Sequence, residues 1–262
     1  MVRPLRSALL LLSLAALVLT GGCAALSRRL TVQEFDTPAT RELVTRISKQ
    51  NSNLQGFKGI GKLRLQQPEG RVSLRAAWMG VYPDRLRIEL INAGQPVAKL
   101  AVDGHWFYLI SHAEDRFHKM ESADPSLKRL VDVPVRAGDM IALLSGRIPF
   151  APFHHADMKK SEGQWLLVLK HWGRTVQRLF LDDEGRRVVA IERFSAHESF
   201  RYKATLSDIR DVDGYAIPFG LRFSAGPGTG FSLAVDRYWA DADIDYSRFS
   251  LRPVRSTTPD RP

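Results

Sequence analysis

The sequence predicts a mainly β, α+β fold, a large antiparallel sheet of about 11 strands curled around a few short helices. Three observations predict it. From Leu54 to Ile110, and again from Trp165 to Trp239, apolar residues recur with a period of two, the spacing of half-buried strands. Tight-turn sequences punctuate both series at short intervals, as in a meander. Between them, residues 124–152 break the pattern with a nearly apolar helical segment. A sheet of this size must close, curl or split. Curling around apolar helices is one solution, and it encloses an apolar space.

The chain opens with Arg3 and Arg6, the apolar run Ala8–Leu19, and then Gly21 and Gly22. That is the layout of a secretory signal over residues 1–22. The run is about a dozen residues, short of the ~20 a membrane span needs. Cys23 follows directly and is the only cysteine, so no intramolecular disulfide can form. Leu19-Thr-Gly-Gly-Cys23 resembles the lipobox of bacterial lipoproteins, with Thr20 where the usual pattern has Leu. The resemblance implies that Cys23 is acylated and becomes the first residue of the mature protein. Under the sorting rule of enteric lipoproteins, Ala24 rather than Asp at the next position implies delivery to the periplasmic face of the outer membrane.

Removing 22 of the 262 residues leaves 240, enough for one β-rich domain with its own core. Hydrophobic residues make up 44% and charged residues 25%, as in ordinary globular proteins. The formal charge is +10, or about +8 without Arg3 and Arg6. Such a surface is attracted to anionic lipid head groups. The arginines are scattered without a like-charge block, which gives nucleic-acid binding no support.

Residues 23–37 read as the lipidated cysteine and a tether. Thr37-Pro38 starts a helix running to about Asn51, with Thr as N-cap and Pro at the first helical position. Leu43, Ile47 and Leu54 form its sparse apolar stripe. Phe57–Leu65 and Val72–Trp78 form a pair of strands around Pro68-Glu69-Gly70, and Leu86–Leu90 follows Tyr82-Pro83-Asp84. Asn92–Pro96 turns into Val97–Val102, and Asp103-Gly104 is a two-residue hairpin signal before His105–Ile110. In that strand Trp106 and Tyr108 oppose Phe107 and Leu109. Asp124–Leu127 starts a short helix, and Arg136–Ser145 forms a second, stopped by Gly146. Six more strands follow, over Trp165–Leu169, Val176–Leu181, Arg187–Phe194, Phe200–Ile209, Tyr215–Phe223 and Phe231–Trp239. The domain spans 38–253, and 254–262 is a polar tail.

Few residues suggest catalysis or metal binding. Gly56–Lys62 imitates a phosphate loop, but Leu63 stands where Ser or Thr should bind magnesium, and the stretch opens a strand. Its glycines suit close backbone approach or sheet curvature. His154-His155 with Asp157 lacks ligand spacing, because neighbours on a strand point to opposite faces. No Gly-x-Ser-x-Gly elbow occurs. No enzyme activity, cofactor or metal is expected. Trp78, near Gly80 and Pro83, either plugs the barrel end or forms a rim that touches lipid.

In element order and in several local runs the chain resembles the LolA/LolB-like lipoprotein-sorting half-barrel superfamily, over about residues 39–253. The runs are Leu54-Gln-Gly-Phe-Lys-Gly-Ile-Gly61, Pro83-Asp-Arg-Leu-Arg-Ile-Glu-Leu90, Leu143-Leu-Ser-Gly-Arg-Ile-Pro149, Tyr215-Ala-Ile-Pro218 and Leu233-Ala-Val-Asp-Arg-Tyr238. The resemblance implies an incomplete antiparallel barrel whose apolar concave face, lidded by short helices, accepts acyl chains or lipoprotein cargo. A periplasmic carrier protein is the implied donor, and the chain is expected to act as a monomer. The pocket expected by period and by resemblance comprises Trp78, Leu86, Ile88, Leu90, Leu100, Phe107, Leu109, Met140, Ile141, Leu144, Leu167 and Leu169. The family receptor projects a membrane-inserting leucine from a loop that corresponds to 91–97 here. Ile91, Ala93 and Val97 are its apolar members, and Ala93-Gly94 holds the tip where the leucine would stand. The alternative function is a non-catalytic assembly lipoprotein that docks another envelope protein on an exposed strand edge.

Overall fold

The structure, a computed structural model, describes residues 33–253 apart from 69 and 113. The signal segment, Cys23, most of the expected tether and the tail 254–262 lie outside the described residues. No described helix is long and apolar enough to cross a membrane.

The first described element falls within the expected tether: β1 (Glu34–Phe35) pairs in parallel with a later strand. Helix α1 (Pro38–Lys49) follows. Thr37 caps it as expected, its hydroxyl oxygen accepting from the Thr40 N–H at 3.1 Å. The helix buries Leu43, Val44 and Ile47 and stops two residues before Asn51.

Six strands come next: β2 (Gly56–Gln67), β3 (Gly70–Val81), β4 (Arg85–Asn92), β5 (Gln95–Asp103), β6 (Trp106–Ser111) and β7 (Arg116–Glu121). A helical insert carries α2 (Lys128–Val131) and α3 (Ala137–Leu144). Seven strands complete the sheet: β8 (His155–Ser161), β9 (Gln164–His171), β10 (Arg174–Leu181), β11 (Val188–Phe194), β12 (Phe200–Val212), β13 (Tyr215–Gly226) and β14 (Thr229–Trp239). The sheet has fourteen strands, three more than the alternation predicts. The additional ones are β1, β7 and β8.

The strand order is β1-β8-β9-β10-β11-β12-β13-β14-β2-β3-β4-β5-β6-β7. Every neighbouring pair is antiparallel except β1 with β8. The last strand, β14, lies beside the first long one, β2, and joins the two meanders. This topology decides where the helices go. Among the described residues β7 ends the sheet on one side, and β8, flanked only by the two-residue β1, lies beside the other end. The connection from β7 to β8 must therefore cross the concave face, and it carries α2 and α3 with it.

Burial follows from that crossing. Six of the eight residues of α3 are buried. Five of them, all but Ala142, join apolar side chains from both halves of the sheet and from α1 in one continuous cluster. Removing such surface from water is the main favourable term in folding. On the convex side, Ala101, Tyr108 and Ile110 pack with Leu251. Leu251 follows a 3-10 turn, Tyr246–Phe249. That terminal segment is tied down where the Arg87 guanidinium donates to the Arg248 carbonyl at 2.9 Å.

The glycines of 56–62 sit inside β2, so the stretch is a strand and not a phosphate cradle. Gly59 pairs opposite Trp78, and Gly80 opposite Phe57. A Cβ at Gly59 would drive into the Trp78 indole, and one at Gly80 into the Phe57 ring. Each glycine makes room for the aromatic across the ladder. Trp78, three residues from the end of β3, is therefore a buried interior residue and not a rim residue.

Candidate ligand cavity

The site is built from the lid downwards. Asp124 accepts the Gly138 N–H at 2.9 Å, covering one free donor at the start of α3. A short helix was expected to begin at Asp124. It begins at Lys128, and Asp124 serves the next helix instead. Asp139, one residue on, sits in a half-enclosed polar cluster. Its carboxylate accepts from Arg193 on β11 at 2.5 Å and from the Tyr202 hydroxyl on β12 at 2.5 Å. Burial and the Asp139 charge push the Tyr202 hydroxyl far above its ordinary range. Gln177 on β10 extends the cluster, accepting from the Ala151 N–H and donating to the Pro149 carbonyl, both at 2.7 Å.

The other end of α3 is held as firmly. Gly146 (φ 70°) ends the helix in the left-handed region. Arg147 then donates to the carbonyls of Asn51, Ser52 and Leu54 at 2.7 to 3.1 Å and lies 3.6 Å over the Tyr82 ring. Asn51 donates to the Ser145 carbonyl at 2.9 Å. The lid is thus an apolar helix pinned at both ends by polar contacts.

Between lid and sheet lies a wholly apolar cavity of about 30 Å³. That is room for about one water molecule, and no polar group lines the space to hold one. Its walls are Leu63, Ala76, Trp78, Ile88 and Leu90 from β2–β4, Phe231 and Leu233 from β14, Leu130 and Val131 from α2, and Met140 and Leu144 from α3.

Of the expected pocket residues, Trp78, Ile88, Leu90, Met140 and Leu144 line this space. Leu86, Leu100, Phe107, Leu109, Ile141, Leu167 and Leu169 are buried in the same cluster but pack away from it. Sequence reasoning missed Phe231 and Leu233, which reach the wall through the pairing of β14 with β2. It also missed the α2 residues and, on the wall next to Trp78, Leu63 and Ala76. These last two carried a signal, since both lie in the expected alternation.

The 91–97 segment is not a projecting loop. Ile91 pairs with Pro96 and Asn92 with Gln95, leaving a two-residue turn at Ala93 and Gly94, both at positive φ. Ile91 and Val97 are half-buried in the ladder, and Ala93 offers a single exposed methyl. The two adjacent histidines diverge as strand geometry requires. His154 packs on His171, ring centroids 4.2 Å apart, while His155 faces Glu34 at 3.9 Å. Asp157 is paired with Lys170 at 2.7 Å.

The arrangement has solved counterparts. A LolA superfamily protein from Nitrosomonas europaea matches 81% of this chain and 97% of its own, with a TM-score of 0.58 and 13% identity. The chain shares the fold of that LolA superfamily protein. An outer membrane lipoprotein-sorting protein domain from Vibrio parahaemolyticus matches at a TM-score of 0.56 and 11% identity, over 80% of this chain and 96% of that one. A DUF1329 family protein from Desulfovibrio piger does so at 0.56 and 10%, over 81% and 96%. No family model matches the chain, and no curated protein matches it in sequence.

Proposed function

We propose that this chain is a non-enzymatic lipoprotein whose half-barrel binds acyl chains, free or on lipoprotein cargo, at the outer membrane. Cys23 carries the lipid anchor, and the domain over 38–253 does the binding. The observation that carries this reading is the wholly apolar space between α2–α3 and the sheet, closed by a lid that the topology lays across the concave face. No covalent chemistry is required. Each methylene moved from water into such a site contributes about 0.8 kcal/mol.

At about 30 Å³ the closed form has no room for a long chain. Binding therefore requires α2 and α3 to lift, the acyl chain replacing the side chains of Leu130, Val131, Met140 and Leu144. The relative from Vibrio parahaemolyticus, described as a lipoprotein-sorting domain, supports the cargo class. A fluorescent fatty acid offered to the domain tests the reading. Saturable uptake with a blue-shifted emission is expected, and no uptake removes it.

One observation favours the docking alternative: β7 is an edge strand, with no strand on its outer side in the described sheet. Its residues Arg116, Lys119 and Glu121 are the charges that discourage edge pairing, so acyl binding remains the reading we prefer.

A further inference from the structure

The antiparallel order sends successive turns alternately to two rims of the half-barrel. The β9–β10 turn at 172–173, the β11–β12 turn at 195–199 and the β4–β5 turn at 93–94 share one rim. Trp172 stands at the tip of the first of these, 77% exposed. It also has φ 50°, followed by Gly173 at 75°, the pattern of a type I′ turn. That position suits Asn, Asp or Gly. Every other non-glycine residue at positive φ among the described residues is Asn, Asp, Glu or Ala. A bulky aromatic there costs backbone strain and exposes a large apolar side chain, and neither helps the fold.

The surroundings point to what the side chain meets. His154 and His171 pack against Trp172, ring centroids 4.5 and 5.8 Å away. The next turn is held alongside: Arg174 donates to the Ala196 carbonyl at 3.2 Å, and the Thr175 N–H donates to Glu198 at 2.7 Å. It presents Phe200, 45% exposed and edge-on to Phe194. Arg174 and Arg201 are exposed on this rim, and Arg178 lies 5.0 Å over the Phe194 ring. Amphipathic aromatics with nearby cations are the composition of a lipid–water interface. The chain also enters the domain here, since Glu34 pairs with His155 at the start of β8. Cys23 is eleven residues earlier, a span of at most about 40 Å when fully extended.

We propose that the Trp172 hairpin, with the Phe194–Phe200 turn beside it, is a membrane-contacting rim that inserts into the interface of an anionic bilayer. The proposal rests on Cys23 as the anchor, which holds this rim within reach of the membrane.

The test uses the chain from Ala24 onward, unacylated, with phosphatidylethanolamine–phosphatidylglycerol vesicles whose acyl chains are brominated. Wild type should sediment with the vesicles and show quenched tryptophan emission. Trp172→Asn should lose the quenching and bind about tenfold more weakly. Because Asn suits the turn, the same variant should be at least as stable in urea, where a merely structural tryptophan would leave it weakened. Trp172→Phe should restore most of the binding. Wild-type binding by Trp172→Asn, or no vesicle binding by wild type, overturns the proposal. So does a wild-type dimer in sedimentation velocity that Trp172→Asn dissociates, which would assign the rim to a contact between copies. Fatty-acid uptake, read on the same samples, should be unchanged by Trp172→Asn. Its absence from wild type would remove the carrier reading and leave the rim proposal standing.

Discussion

Asp139 and Arg193 meet at 2.5 Å across the gap between the lid helix and the sheet, each with only 13% of its side chain exposed. The pair ties α3 to β11, and Tyr202 and Gln177 complete it. Asp139→Ala leaves the guanidinium enclosed without its counter-charge. The expected cost is about 3–5 kcal/mol in urea unfolding. Acyl-chain uptake should at the same time become faster, because one pin of the lid is gone. Stopped-flow uptake and equilibrium unfolding on the same variant check both halves.

Alkaline pH should weaken the fold through two tyrosines. Burial first, then the Asp139 charge, raises the Tyr202 hydroxyl, and burial raises Tyr238 despite the opposing charge of Arg147. An unfolded tyrosine loses its proton near pH 10, while these keep theirs in the folded state. The folded protein then binds more protons than the unfolded one. Stability is therefore full below about pH 10 and falls above it, by about 1.4 kcal/mol per pH unit for each tyrosine. Urea unfolding from pH 8 upward should show this slope, and Tyr202→Phe should remove one tyrosine's share of it.

Gly59 and Trp78 form one packing unit. Gly59→Val pushes a branched side chain into the indole and should cost about 1–3 kcal/mol. Near-UV circular dichroism should report the displaced tryptophan. Trp78→Leu in the Gly59→Val background should recover part of the loss.

The anchor makes its own prediction. Ala24→Asp should retain the protein at the inner membrane, and Cys23→Ser should release it from membranes under high salt. Fractionation with immunoblotting reads both outcomes.

The long strands were legible because their turns and their alternation agree. Asp103-Gly104 and Ala93-Gly94 mark hairpins, and Leu86, Ile88 and Leu90 alternate with Arg85, Arg87 and Glu89. β7 and β8 were not legible, because β7 is an edge strand, β8 is flanked only by the two-residue β1, and both are held by backbone pairing. β8 buries only Ala156, and β7 buries none of its residues. The lid was readable from the apolar run Met140–Leu144. Its pins were not: Asp139 and Arg193 are 54 residues apart, and nothing local announces the contact. The cavity wall was half legible for a similar reason. Local alternation indicates which residues face inward, but the pairing of β14 with β2 decides which of them meet under the lid.

Acyl-chain binding is the central claim, and native mass spectrometry tests it most directly. The chain from Ala24 onward, purified from a bacterial envelope, should carry bound lipid as a discrete added mass. That mass should fall away when Leu233→Trp fills the cavity from the sheet side. Bare protein mass alone from wild type, with no lipid bound before or after incubation with fatty acid, would contradict the account.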